Sequence, residues 1–253
     1  MKLYRYMCFK EFENTFLNKY YRFRYAGIWK DTLESLYVRK ASTIKGCEEL
    51  IGIYHRYYPH MPNNDIYTEI TNIVALSLQT RCQCWCTNGN SGVFWNRNKD
   101  YICLGIDYVE DNEFLSNYKI KGHSIKYIEQ VDIEKIVDYF EQGRYLSNLQ
   151  TVKDKDVYQK EEEYRLVATP MNPEFPQKLR LFQYDEIVKS NDALVRSIVD
   201  YTNWVNSTVL NPSDEYFQLR NLKLTSIRTH PDMSEKSLKQ FDEFCNKYCV
   251  RIS

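Results

Sequence analysis

The sequence predicts an α+β fold, a mixed central sheet with helices packed on it, and three observations carry that reading. Short stretches alternate in side-chain character with period two, as at Leu3–Met7, Tyr20–Ala26 and Arg81–Thr87, the pattern of a half-buried strand. Others place apolar residues three and four apart, as at Phe9, Phe12, Phe16 and Leu17, the pattern of an amphipathic helix. The two kinds interleave along 253 residues without repeats, low-complexity tracts or long linkers, so the chain reads as a single domain, residues 1–253, with a substantial core.

In order, Leu3–Met7 is a first strand, Phe9–Leu17 a helix and Tyr20–Ala26 a second strand that sets Arg22 and Arg24 opposite Tyr21, Phe23 and Tyr25. Residues 44–78 are helical in two pieces parted by Pro59 and Pro62, the second striped by Ile66, Ile70, Ile73, Val74 and Leu78. Arg81–Thr87 is a strand, Asn88-Gly89-Asn90 a turn, and Tyr101–Tyr108 a further strand after the short segment Val93-Phe94-Trp95. His123–Val131 reads as a strand, Ile133–Phe140 as a helix and Glu161–Thr169 as a strand, with a proline-rich loop to Pro176. Leu179–Tyr184 is a strand, Asp192–Val205 is mixed, and Val209-Leu210-Asn211-Pro212 ends a strand and opens a helix. Ser234 caps a last helix, Glu235–Tyr248, before a terminal strand, Val250–Ser253.

Charge is balanced at 34 Lys+Arg against 34 Asp+Glu, which argues against a protein dedicated to gripping duplex phosphates. No apolar run approaches the ~20 residues that span a bilayer, and Met1-Lys2-Leu3-Tyr4-Arg5 lacks the apolar core of a signal peptide. The expectation is a cytoplasmic protein without membrane partners, whose eight cysteines are reduced thiols. Cys82, Cys84 and Cys86 share one face of their strand at roughly 7 Å intervals, too far apart for tetrahedral zinc. No partner among His55, His60, His123 and His230 completes a metal site or a triad. The 22 tyrosines suit polar-lined clefts or stacking platforms, and equally an AT-rich genome.

The candidate site is Glu161-Glu162-Glu163-Tyr164-Arg165. On a strand, Glu161, Glu163 and Arg165 share a face. Such a row is either a solvated set of salt bridges worth about 0–1 kcal/mol or the floor of a polar site.

These segments resemble a bacterial family, domain of unknown function 2971. The resemblance rests on Leu3-Tyr4-Arg5-Tyr6-Met7, Trp29-x-Asp31-x-x-Glu34, Cys84-Trp85-Cys86 leading to Ser91 and Trp95, Gly105-Ile106-Asp107, Tyr127, and Lys155-x-x-Tyr158-x-x-Glu161-x-Glu163-x-Arg165-Leu166. Thr32 stands where that family often has proline, and Asn96-Arg97-Asn98 where an aromatic commonly follows the tryptophan. The family-like core is residues 1–169, with residues 170–253 an extension of the same domain. The opening strand–helix–strand and the late Glu-x-Glu also resemble ADP-ribosyltransferase folds.

That second resemblance implies an enzyme that cleaves NAD, its substrate, and transfers ADP-ribose to a protein or nucleic-acid acceptor, or hydrolyses NAD. A toxin or anti-phage effector with a neutralising partner protein would fit. Glu163 would stabilise the oxocarbenium-like charge and Glu161 would serve the acceptor nucleophile. Arg5 would hold pyrophosphate or ribose oxygens, Arg165 would hold a carboxylate, Tyr25 would match the middle strand, and Tyr4, Trp85 or Trp95 would stack on the bases. One alternative is a non-catalytic recognition domain binding a phage component, a nucleotide or single-stranded nucleic acid. Another is a nuclease-like enzyme with Glu161 and Glu163 as metal ligands, which Arg165 opposes.

Overall fold

The computed structural model describes residues 1–25, 36–109, 113–115, 117–128, 152–176, 190–209, 214–219 and 222–250. The turn at Trp29–Glu34, the helix expected at 133–140, the strand expected at 179–184, and residues 210–212 and 251–253 lie outside them.

The chain opens as predicted with β1 (Lys2–Met7), α1 (Phe9–Asn18) and β2 (Tyr20–Phe23). Helix α1 buries Phe12 and ends where Lys19 turns left-handed at φ 57°, its N–H closing on the Thr15 carbonyl at 2.9 Å. Helices α2 (Leu36–Ala41), α3 (Ile44–Tyr57) and α4 (Asn63–Gln79) follow, the last two broken at the predicted prolines. Next come β3 (Arg81–Cys86), α5 (Gly92–Arg97) and β4 (Ile102–Tyr108). Thus Val93-Phe94-Trp95 is a helical turn.

The stretch read as one strand from His123 is two: β6 (Tyr118–Ser124), paired with β5 (Glu113–Leu115), and β7 (Lys126–Ile128). Strand β8 (Val152–Asp154), the short helix α6 (Lys155–Tyr158) and a 3₁₀ turn (Gln159–Glu161) lead into β9 (Glu163–Pro170). Asp192–Val205, read as mixed, is almost wholly α7 (Asn191–Trp204), continued by a π turn. Two strands went unread, β10 (Glu215–Gln218) and β11 (Leu222–Thr229), before α8 (Glu235–Tyr248).

Among the described residues, seven strands form the central sheet in the order β11-β4-β1-β3-β9-β6-β5. Its pairings are antiparallel, which corrects the expected mixed sheet; among the described residues parallel pairing is confined to β7 with β8. A parallel neighbour needs a crossover to the far end of the sheet. The excursion from β1 through β2 and the helices instead returns to the end it left.

Opposed residues in the register share a face. Leu3, Met7, Trp85, Leu104, Ile106, Tyr164 and Leu166 form the dry face, joined in one core cluster by Phe12 of α1 and by Phe241 and Phe244 of α8. Phe12 meets those two rings at centroid distances of 5.7 and 5.4 Å, edge-to-face geometries that suit their quadrupoles. A second core gathers α2, α3, α4 and α7 around Leu50, Ile66, Ile70, Val74, Leu194 and Ile198.

Helix α8 starts as predicted, with Ser234 Oγ accepting the Ser237 N–H at 3.4 Å. Ser234→Ala leaves that donor unpaired, and urea unfolding is expected to show a loss of about 0.5–1 kcal/mol; an unchanged midpoint would count against the cap.

Candidate functional site

Strand β9 begins two residues later than the alternation suggests. Glu162 sits in the left-handed region at φ 47°, which ends the 3₁₀ turn and prevents a continuous strand through Glu161. Glu161 therefore lies on a turn, while Glu163 and Arg165 keep the predicted shared face of β9.

The row is neither a solvated edge nor an open floor. Arg165 is wholly buried, and its Nε and Nη2 reach one oxygen of Glu163 at 2.9 and 2.7 Å. Lys153 of β8 takes the other Glu163 oxygen at 2.6 Å and Glu161 at 2.8 Å. Arg97, at the end of α5, pairs with the remaining Glu161 oxygen. The result is a chain of alternating charge, Arg97–Glu161–Lys153–Glu163–Arg165, in which the middle three side chains are each at most 8 % exposed. The Lys153 ammonium also lies 4.6 Å from the centre of the Tyr158 ring. The Glu163 backbone N–H donates to Tyr127 Oη at 2.7 Å. Lys153 occupies the space between the two carboxylates, where a bridging metal ion would have to sit.

Burial alone would push the Glu163 carboxyl up, but the Arg165 guanidinium and the Lys153 ammonium outweigh it and hold the group at about 2. A carboxylate so fixed is a poor proton donor. Its charge is already answered by two cations, so little of its field is left to stabilise a developing positive centre. His123 lies directly opposite Arg165 in the register. Burial, with Lys121 nearby, pushes its imidazole down to about 4.

Arg5 and Glu163 do not meet on one face. Tyr4 is opposed by Cys86, and Cys86 in turn by Glu163, so Tyr4 shares the face of Glu163 and Arg5 lies on the other. Arg5 pairs with Glu11 of α1. Tyr25 is buried in the helical core. Trp85 is 1 % exposed, and its indole N–H donates to Gln83 at 2.9 Å, which makes it a core residue. Trp95 packs edge-on against Tyr6 at 4.7 Å and meets His230, also edge-on, at 5.3 Å.

The cleft lies beside this network. Strands β1 and β3 are joined at the single register pair Tyr4–Cys86. Farther along, β2 takes over the edge of β3, with Arg24 and Cys82 exchanging backbone hydrogen bonds of 2.8 and 2.7 Å. The strands thus fork, and the fork encloses a cleft of about 190 Å³ reached by Arg5, Arg22, Arg24, Tyr6, Cys84 and Phe94. Arg22 and Arg24 share Asp214, and Arg5 holds Glu11, so three guanidiniums against two carboxylates leave one net positive charge. Tyr6 stacks on Phe94 at 5.1 Å, with planes 13° apart. Of the residues expected to bind cofactor, the cleft takes in Arg5, Tyr4 and Trp85; Tyr25, Trp95 and Arg165 are absent from its lining.

Sequence reading missed Arg22 and Arg24 as site residues. Their alternation with Tyr21 and Phe23 marked them as outward-facing, but nothing in the sequence shows that β2 lies against β3. Cys82, Cys84 and Cys86 do share a face, since they oppose Val167, Arg165 and Glu163. Burial pushes the Cys86 thiol up to about 12, far from a reactive thiolate. Among the described residues no group of three or more His, Cys, Asp or Glu side chains gathers to hold a metal ion, and no helix is long and apolar enough to cross a membrane.

No family model, curated protein or solved structure matches the chain.

Proposed function

We propose that the protein is a recognition domain that binds a nucleotide in the fork of β1, β2 and β3. The observation that supports this most is the convergence of Arg5, Arg22 and Arg24 on one cleft beside the Tyr6–Phe94 stack. Guanidinium forks match phosphate oxygens, and stacked rings accept a base. Arg22 and Arg24 are 32 % and 41 % exposed and their Asp214 is 23 % exposed. Ion pairs that open to water contribute only about 0–1 kcal/mol, so a phosphate can displace the carboxylate at small cost.

Calorimetric titration with AMP, ADP and NAD at low salt tests the reading, and saturable binding is expected. Arg24→Ala should weaken it by about 10-fold or more, the effect of losing a charge-assisted hydrogen bond, while the melting temperature without ligand stays near that of the parent. Absence of binding and of any thermal shift at millimolar nucleotide would sink the proposal.

A second reading, cleavage of NAD, is favoured by one observation. Cys84 lines the cleft and also hydrogen-bonds Glu163, connecting the fork to the buried carboxylate. Glu163 would have to leave Arg165 and Lys153 to act. Release of nicotinamide from NAD, abolished by Glu163→Gln in a protein that still folds, is the result this reading requires.

A further inference from the structure

The outward face of the β2–β10 ribbon carries a second set of groups suited to nucleic acid. In that ribbon Tyr21 and Phe217 oppose one another and face the core, which turns the alternate pairs outward: Tyr20 opposite Gln218, and Arg22 opposite Tyr216. Tyr20 and Tyr216 are 41 % and 50 % exposed. Their positions are diagonal across the ribbon, a relation that sets residues roughly 7–8 Å apart. Together with Lys10 and Asn14 of α1 they line a groove of about 630 Å³. Arg22 lines both this groove and the smaller cleft in the fork, so the two adjoin at its side chain.

We infer that this groove extends the nucleotide site to a single strand of nucleic acid, its bases stacked on Tyr20 and Tyr216 and its phosphates following Lys10, Arg22 and Arg24. The inference rests on the nucleotide reading of the fork and names the polymer that nucleotide belongs to. Exposed rings on neighbouring strands, with Arg22 directly opposite Tyr216, are what a single strand uses and a duplex cannot, because duplex bases are already stacked. Glu11 and Glu13 line the same groove. They oppose a polymer bound only through its charge, which leaves stacking as the main attraction. Three cations facing three phosphates imply a slope of log affinity against log salt of about −2, at roughly 0.7 per phosphate for single strands.

Fluorescence anisotropy with labelled octathymidylate and octauridylate, a matched duplex and mononucleotide competitors tests the inference. An octamer is expected to bind about 10-fold or more tightly than a mononucleotide, and the duplex more weakly than the octamer. Tyr20→Ala and Tyr216→Ala should each weaken octamer binding by about 10-fold while leaving mononucleotide affinity unchanged; both side chains are exposed, so folding is preserved. An octamer that binds no better than a mononucleotide overturns the inference and leaves the fork as a mononucleotide site. Tyrosine variants that alter self-association but not octamer affinity also overturn it, and assign the face to protein contacts. Failure of both octamer and mononucleotide to bind removes the fork reading and this extension together.

Discussion

Arg165→Met is expected to lower the unfolding free energy by about 3–5 kcal/mol, the cost of leaving a buried charge without its partner. The guanidinium is wholly buried, and two of its nitrogens grip one oxygen of a carboxylate that is itself 1 % exposed. Among the described residues Lys153 would remain as the cation that answers Glu163, while also serving Glu161. Domains of this size are stable by about 5–15 kcal/mol, so the variant should unfold at a much lower urea concentration. Arg165→Lys should rescue little, since an ammonium cannot reproduce the planar fork. A double variant, Glu163→Leu with Arg165→Met, should recover about half of the loss or more, because apolar replacements of a whole buried pair are often neutral. A single variant within about 1 kcal/mol of the parent would show that the network contributes no more than a surface pair.

Acid should destabilise the fold around β9 in two overlapping windows. The folded Glu163 carboxyl, at about 2 against a usual 4.5, binds fewer protons than the unfolded chain between those values. Its stabilisation is therefore complete above pH 4.5 and is lost as pH falls toward 2, on the order of 3 kcal/mol in all. His123 acts earlier. Its imidazole is held at about 4 against a usual 6.5, so the unfolded chain takes up a proton first and stability declines from pH 6.5 toward 4. Urea midpoints measured across this range should fall continuously on acidification. Glu163→Gln should flatten the lower window and His123→Leu the upper one. Midpoints that stay level from neutral pH into the acid range would refute both assignments.

Local pattern made much of the architecture legible. Phe9, Phe12 and Phe16 fixed α1, the stripe from Ile66 to Leu78 fixed α4, and Ser234 marked the start of α8, because each signal depends only on neighbours within a turn or two. The failures were of two kinds. Glu161 was placed on a strand because alternation continues through it, whereas the left-handed turn at Glu162 is a backbone state that its side chain does not announce. Strands β10 and β11 went unread because each takes its stability from partners, β2 and β4, that are some 190 and 120 positions away at Tyr216–Arg22 and Arg228–Cys103.

The candidate site divides along the same line. Alternation along the chain is enough to put Glu163 and Arg165 on one face, to turn Arg22 and Arg24 away from Tyr21 and Phe23, and to align three cysteines on one strand. These follow from the two-residue period of a strand. Which faces meet depends on the packed fold: Lys153 and Arg97 close over the two glutamates, Arg5 lies across the sheet from Glu163, and β1 and β3 part to admit β2. Side-chain alternation is a local property of the backbone. Register and the fork of a sheet are set by contacts between segments whose separation in the chain leaves no periodic trace.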